Sequence, residues 1–344
     1  MNKIQKIKEA LKNVYDPELN KNIIELRMVK DINIADNRVK LTLALTTLQC
    51  PMKEKIVEDI KRTIKKIKGI SSVNIELTEM SKEELDLLFP KHPLIGIDKI
   101  RHFIAVASGK GGVGKTTVAI NLAVALSREG FNVGILDADI YGPNIPVMMG
   151  ISQRPKGEKG MIIPLERFEL KVMSIGFFID ESQPVIWRGP LVSNAIRQFL
   201  DEVMWGKLDY LVIDLPPGTG DTSITIAQSI PGVSIVTVTT PQEVALADVK
   251  KAISMFKKME VKILGIIENM SYFKCTHSEE RIEIFGKGGG EKLSKEMGVS
   301  FLGSIPIDIA LRRGGDEGIP LMVDIPESDT GKIFKVIARK MISS

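Results

Sequence analysis

The spacing of apolar positions along this chain changes character near residue 100. The opening MNKIQKIKEALKNV sets Ile4, Ile7, Leu11 and Val14 on one face of a helix. DPELNKN then reads as a turn. IIELRMVKDINIADNRVKLTLALTT reads as two β-rich runs broken at Ala35-Asp36-Asn37, a hairpin. In PMKEKIVEDIKRTIKKI, residues 51–67, Ile56, Ile60, Ile64 and Ile67 return to helical spacing, and Pro51 suits the first turn. SSVNIEL predicts a third strand. Residues 1–88 are therefore expected to form a small α+β domain, with the proline-bearing stretch FPKHPLIGID marking a linker over residues 89–100.

From His102 onward, short apolar runs rich in β-branched residues alternate with helical stretches. The runs are HFIAVASG, NVGILDAD, LDYLVIDL, VSIVTVTT and VKILGIIENM. Near-continuous apolar strands joined by helical crossovers predict a mostly parallel sheet, covered by helices on both faces, over residues 101–344.

Composition narrows the class. The chain has 344 residues, 44% hydrophobic and 26% charged, a soluble globular balance. No apolar stretch reaches the ~18 residues that suggest a membrane span. Charges interrupt the first segment too often for a signal peptide. Two cysteines make no disulfide framework, so a reducing, cytoplasmic setting is expected. The net charge of +4 lies entirely in residues 1–100, with 19 basic residues against 15 acidic. That excess reads as a solvated lysine-rich surface. A nucleic-acid face is the weaker alternative, because Tyr15 and Phe89 are the only aromatic residues there to stack on bases.

The strongest chemical signal is GKGGVGKTT, residues 109–117, between a predicted strand and a predicted helix. Gly109, Gly114, Lys115 and Thr116 fit the phosphate-loop pattern. Glycines let backbone N–H groups curl around phosphate, and the following helix adds its positive end. Ser108, Gly109, Lys110, Gly111, Gly112, Val113, Gly114, Lys115, Thr116 and Thr117 are thus expected to line ATP. Lys115 would reach the β- and γ-phosphates and Thr116 would ligate Mg²⁺. Asp137 and Asp139 close the strand NVGILDAD, and Asp214 closes LDYLVIDL. Carboxyl ends of parallel strands are where open α/β sheets bind ligands. Asp214 suits a Mg²⁺-holding role. Capping a helix or turn is the alternative reading for all three carboxylates. The glycines and prolines of LPPGTGD suggest a switch loop responsive to the γ-phosphate.

GKGGVGKTT, with its additional Lys110, resembles the deviant phosphate loop of the MinD/ParA/nitrogenase-iron-protein class of ATPases. The resemblance implies that Lys110 crosses a homodimer interface to the partner's nucleotide. It also implies that Asp139 orients the attacking water, that Asp137 supports the metal shell and that Asn269 contacts adenine. A turn residue is the alternative for Asn269.

DADIYGPNIP, WRGPLVSNAIRQFL, WGKLDYLVIDLPPGTGD, ENMSYF, IFGKGGGEKL and FLGSIPID resemble the Mrp/ApbC family of iron–sulfur cluster carrier ATPases, over residues 100–325. VYDPELNKNIIELRMVKDI and TTLQCPMKE resemble the MIP18-type domain found ahead of such ATPases. This implies a cytoplasmic homodimer that passes an iron–sulfur cluster, [4Fe–4S] by resemblance, to apoproteins alongside cluster-assembly partners. Neither nucleic acid nor membrane is expected as a partner.

In that family each subunit supplies a Cys-x-x-Cys clip. Here Cys275 matches the first cysteine and Ser278 stands in the second place. Serine is a poor iron–sulfur ligand compared with thiolate. Three readings stay open. Cys275 anchors a labile cluster with outside ligands, or His277 joins it in a two-cysteine, two-histidine set per dimer. In the third, stable cluster binding has been lost and the ATPase kept. Cys50 resembles the cysteine of the MIP18-type domain, and its alternative is a small buried residue at a turn. GKGGG, residues 286–290, lacks the Lys-Ser/Thr ending and reads as a close backbone approach before the helix EKLSKEMG. The C-terminal TGKIFKVIARKMISS carries Ile333, Phe334, Ile337 and Met341 on one side. It either packs on the sheet or, as in a positioning ATPase, lies on an anionic membrane. A non-enzymatic scaffold is a further alternative.

Overall fold

The computed structural model describes residues 2–16, 21–46, 52–88, 97–158, 160–178, 189–218, 232–275 and 280–343, with Ser223, Ala227, Ile230 and Ser278 between them. The chain divides into two compact units, Met1–Pro93 and Leu94–Ser344.

The first unit contains α1 (Lys3–Leu11), β1 (Val29–Ala35), β2 (Arg38–Leu45), α2 (Lys53–Lys65), β3 (Ser72–Glu79) and α3 (Lys82–Leu88). β1 and β2 are antiparallel, and Asp36 and Asn37 between them both have positive φ, 48° and 63°. That is the two-residue geometry matched to right-handed strand twist. β3 runs parallel to β2, so α2 is a crossover helix. Ile7 and Leu11 of α1 and Ile56, Ile60 and Ile64 of α2 share a core with Ile32, Val39, Leu41 and Leu43.

One expectation fails here. Residues 23–27, read above as the start of a strand, form turns, and β1 begins only at Val29. The Asn22 side chain accepts hydrogen bonds from the Ile24 and Glu25 amides, and Arg27 takes φ 52°. Local side-chain capping of this kind competes with a strand ladder. Ile23, Leu26 and Met28 are still buried, so their apolar character serves the core and not a pleat.

The second unit is built on eight strands: β4 (Ile100–Ser108), β5 (Val133–Asp137), β6 (Leu165–Arg167), β7 (Leu170–Ser174), β8 (Leu208–Asp214), β9 (Ser234–Thr239), β10 (Lys262–Glu268) and β11 (Phe301–Ser304). Their order is β6-β7-β5-β8-β4-β9-β10-β11. Every neighbouring pair is parallel except β6–β7 at one edge. β6, β7 and β11 add to the five strands expected from the apolar runs. β6 and β11 are too short to show a period.

The helices include α4 (Lys115–Arg128), α5 (Gly189–Asp201), α6 (Glu243–Lys258), α7 (Gly289–Met297) and α8 (Asp329–Ile342). Successive residues Ile266 and Ile267 of β10 point to opposite faces and both are fully buried, as expected of a sheet covered on both sides. α4 is buried from Val118 to Leu126, and Asn121 within it is satisfied. Its Nδ2 donates to the Thr117 carbonyl at 2.8 Å, and its Oδ1 accepts from the Met322 amide at 3.0 Å. α8 packs against α4 and β11. Among the described residues no helix is long and apolar enough to cross a membrane.

Candidate functional site

β4 delivers the phosphate loop to the carboxyl edge of the sheet, and α4 carries the chain away from it. Gly112 and Gly114 both have φ 79°, the left-handed region that favours glycine. Gly114 is also boxed in, since a Cβ there would fall 2.3 Å from Asn269 Nδ2. At Gly109 a Cβ would fall 2.5 Å from the α6 backbone at Asp248 and Val249. Gly111 and Gly112 face open space. Ser108 Oγ donates to the Lys110 carbonyl at 3.0 Å, and the Gly218 amide donates to the Ser108 carbonyl at 2.9 Å. These bonds tie the loop to the LPPG segment after β8. Val113 is buried, and Thr117 is half-buried at the first turn of α4. Lys110 Nζ donates to Gln242 Oε1 at 3.4 Å.

Lys115, Thr116, Asp137, Asp139 and Asp214 converge. Asp214 is fully buried. Its Oδ1 accepts from Lys115 Nζ at 2.7 Å and its Oδ2 accepts from Thr116 Oγ1 at 2.6 Å. Asp139 Oδ2 lies 3.6 Å from the same Lys115 Nζ. Asp137 pairs with Asp214 in register between β5 and β8, and it too is fully buried. Asp137 Oδ1 accepts from the Asp139 amide at 3.2 Å. Its Oδ2 accepts from Ser174 Oγ at 2.9 Å and from the Ile145 amide at 3.2 Å.

Burial pushes the Asp137 carboxyl up to about 8, and the Asp214 charge adds to this against the Ser174 and Ile145 hydrogen bonds. Burial also raises Asp139, with Lys115 opposing. Asp214 and Asp139 thus share one ammonium group, with the Asp137 carboxyl buried beside them. Hard oxygens of a hydroxyl and a carboxylate meeting beside a surplus of negative charge suit Mg²⁺. That ion takes one or two protein oxygens and completes its shell with phosphate and water. The donor set fits the ion.

Asn269 follows β10. Its Nδ2 donates to the Val113 carbonyl at 2.8 Å, inside the phosphate loop. Its Oδ1 is buried and has no hydrogen-bond partner among the described residues. An orphaned buried acceptor is costly, and a donor such as an exocyclic amine would satisfy it.

Cys275 stands apart on a small hairpin. Phe273–Lys274 pairs antiparallel with Arg281–Ile282, and the Cys275 amide donates to the Glu280 carbonyl at 2.9 Å. Cys275 is half-buried, and Ser278 is exposed in the turn. His277 and Cys50 lie outside the described residues, as does part of the expected switch loop, residues 219–221. The GKGGG stretch approaches its neighbours closely. A Cβ on Gly289 would come within 2.4 Å of Leu246 Cδ1. Sequence reasoning missed Ser174, Gln242 and Glu268. Ser174 and Gln242 are ordinary in sequence and reach the site only through folding. Glu268 ended an apolar strand as visibly as Asp214 did, and that signal was available.

A family model described as an NUBPL iron-transfer P-loop NTPase matches residues 99–342, and one described as an iron–sulfur cluster assembly protein matches residues 4–77. A protein of Synechocystis sp. named iron–sulfur cluster carrier protein is 47% identical over 340 residues, covering 96% of this chain and 95% of its own. Among solved structures, a nucleotide-binding protein from Archaeoglobus fulgidus in complex with ADP superposes with a TM-score of 0.60 at 42% identity, over 69% of this chain and 93% of its own. The cell-division ATPase MinD of Pyrococcus furiosus superposes with a TM-score of 0.53 at 27% identity, over 70% of this chain and 98% of its own.

Proposed function

We propose a function from one premise: this chain belongs to the family of NUBPL iron-transfer P-loop NTPases and carries an iron–sulfur cluster assembly domain ahead of it. It binds ATP with Mg²⁺, hydrolyses ATP to ADP and phosphate, and carries iron–sulfur clusters to apoproteins. It works as a homodimer in the cytoplasm. Residues 1–88 serve as the assembly module, joined through residues 89–100 to the ATPase of residues 101–344.

The observation that carries the reading is Asp214, which engages Lys115 with one oxygen and Thr116 with the other. ATP competes for both partners. Lys115 exchanges Asp214 for the β- and γ-phosphates. Thr116 and the released Asp214 would hold Mg²⁺, with Asp137 behind them supporting the shell; when bound, the ion would supply positive charge to offset that of the phosphates. Gly109 to Thr117 wrap the phosphates with backbone N–H groups, and Ser108 pins the start of the loop. Asn269 Oδ1 accepts from the adenine amine. Asp139, beside Lys115, orients the water that attacks the γ-phosphorus as the bond to the β-phosphate oxygen breaks. Lys110 reaches the partner's nucleotide across the dimer.

For the cluster, Cys275 supplies one thiolate per subunit. Ser278 favours a second reading, an accessory ATPase that no longer holds a cluster stably, because its hydroxyl is a weak match for iron. The positioning-ATPase alternative needs a C-terminal helix available to a membrane, whereas α8 buries Phe334, Ile337 and Met341 in the core.

Two measurements test the proposal. Lys115→Ala should lower ATP turnover roughly a hundredfold or more, as loss of a preorganised charge contact does; retained turnover sinks the ATPase. Anaerobic reconstitution with iron and sulfide should load the parent chain but not Cys275→Ala, by absorption and iron count. If the parent holds no iron while Ser278→Cys does, the carrier reading fails and the accessory reading stands.

A further inference from the structure

We propose that Glu268 is a positioning residue that clasps the two ends of the segment bearing Cys275, so that occupation of the nucleotide site is felt at that cysteine. The inference deepens the carrier reading and takes its purpose from it. The geometry stands independently.

Glu268 is the last residue of β10 and only 2% exposed. It serves neither phosphate nor metal in the mechanism above. Its Oε2 accepts from the Gly290 amide at 2.6 Å, in the first turn of α7. Gly290 makes this approach possible, since a Cβ there would lie 3.0 Å from Glu268 Cβ and 3.2 Å from Oε2. The next residue in the chain is Asn269, whose amide bonds Thr239 and whose side chain bonds the phosphate loop at Val113. The chain therefore runs from Asn269, beside the nucleotide site, by way of the Cys275 hairpin and meets Glu268 again at Gly290. Besides the Phe273–Ile282 ladder and the Cys275–Glu280 hydrogen bond, a buried carboxylate joins the last residue of β10 to the start of α7.

A buried carboxylate is a costly way to pack a helix against a strand. Burial raises this group against the Gly290 hydrogen bond, and the neighbouring Glu291 charge works in the same direction as burial. An apolar side chain would fill the space without that cost. What the carboxylate adds is direction: it takes an N–H at a helix start and ties it to the residue adjacent to Asn269. A shift of Asn269 on binding a nucleotide moves Glu268, and with it the base of the hairpin. The GKGGG stretch acquires a role in this arrangement, because its last residue, Gly290, lets the backbone come close enough for the clasp.

The test uses the full chain carrying Cys50→Ser, which leaves Cys275 as the only thiol. The rate at which a small maleimide modifies Cys275 is measured without nucleotide, with ADP and with Mg-ATP. Nucleotide should change that rate about fivefold or more, the lower end of ordinary coupling between sites. Glu268→Ala should bring the ratio close to one, while KM for ATP stays within about twofold, so that binding is separated from its transmission. Glu268→Gln, which keeps a carbonyl acceptor, should restore part of the response. Gly290→Ala, which crowds the carboxylate without removing it, should also reduce it. A ratio near one in the Cys50→Ser parent, or a full ratio in both Glu268→Ala and Gly290→Ala, overturns the clasp. A clamp that served stability alone would lower the melting temperature and leave the ratio intact. Iron counts on the same proteins report on the carrier reading separately, so either idea can fail without the other.

Discussion

Asp137 and Asp139 stand two residues apart and carry the same group, yet their surroundings divide their work. Asp139 lies beside Lys115, while Asp137 is enclosed by Ser174, the Ile145 amide and the Asp139 amide. Enclosure has a consequence for pH. The Asp137 carboxyl is raised from 3.8 to about 8, so the folded state holds its proton more tightly than the unfolded chain does. Stability therefore falls as pH rises through that window, because the unfolded chain ionises first. The melting temperature of the nucleotide-free protein in EDTA should decline from pH 5 to pH 8, and Asp137→Asn should flatten the decline. Parallel curves for the two proteins would show that Asp137 is not the titrating group. Both aspartates were legible as strand-end carboxylates. Ser174, the donor that separates them, was not, because it arrives on β7, 37 residues after Asp137 in the chain.

Elements were legible wherever a period ran long enough. α2 and α8 lie close to where the isoleucine and phenylalanine spacings put them, and the hairpin turns at Asp36 and Asn37. Residues 23–28 misled because burial without pleating produces the same apolar letters as a strand. For α8 the period alone left two partners open, the sheet or a membrane. Packing decided it: Phe334 and Ile337 are fully buried, while Val336 on the other side is 52% exposed. Phe334→Ala should then cost about 3–5 kcal/mol of stability, as truncation of a buried aromatic does. Denaturant unfolding measures the loss. The intact protein should fail to float with anionic vesicles, and flotation that depends on residues 329–344 would overturn this assignment.

At the scale of the molecule, the catalytic constellation is completed by a second copy of the chain in the reading proposed above. Lys110 is half-buried and 3.4 Å from Gln242 within its own subunit. Lys110→Ala should lower turnover by about tenfold or more, as removal of a cation supplied in trans does. It should also weaken ATP-dependent dimerisation, read by light scattering. Unchanged values in both would return Lys110 to a role within one subunit. The sequence by itself determined the phosphate loop, the strand-end carboxylates and the change of hydrophobic pattern near residue 100, whereas Ser278 in the second place of a cysteine clip was legible only through the family resemblance. The first three are written in contiguous residues, where backbone geometry and short-range spacing carry the signal. Only the tertiary structure decided that Asp214 holds Lys115 and Thr116 together, that Ser174 donates to Asp137 and that Glu268 meets the start of α7 at Gly290. Those contacts join residues 22 to 99 positions apart, and burial determines which carboxylates meet a cation, a hydroxyl or a helix start.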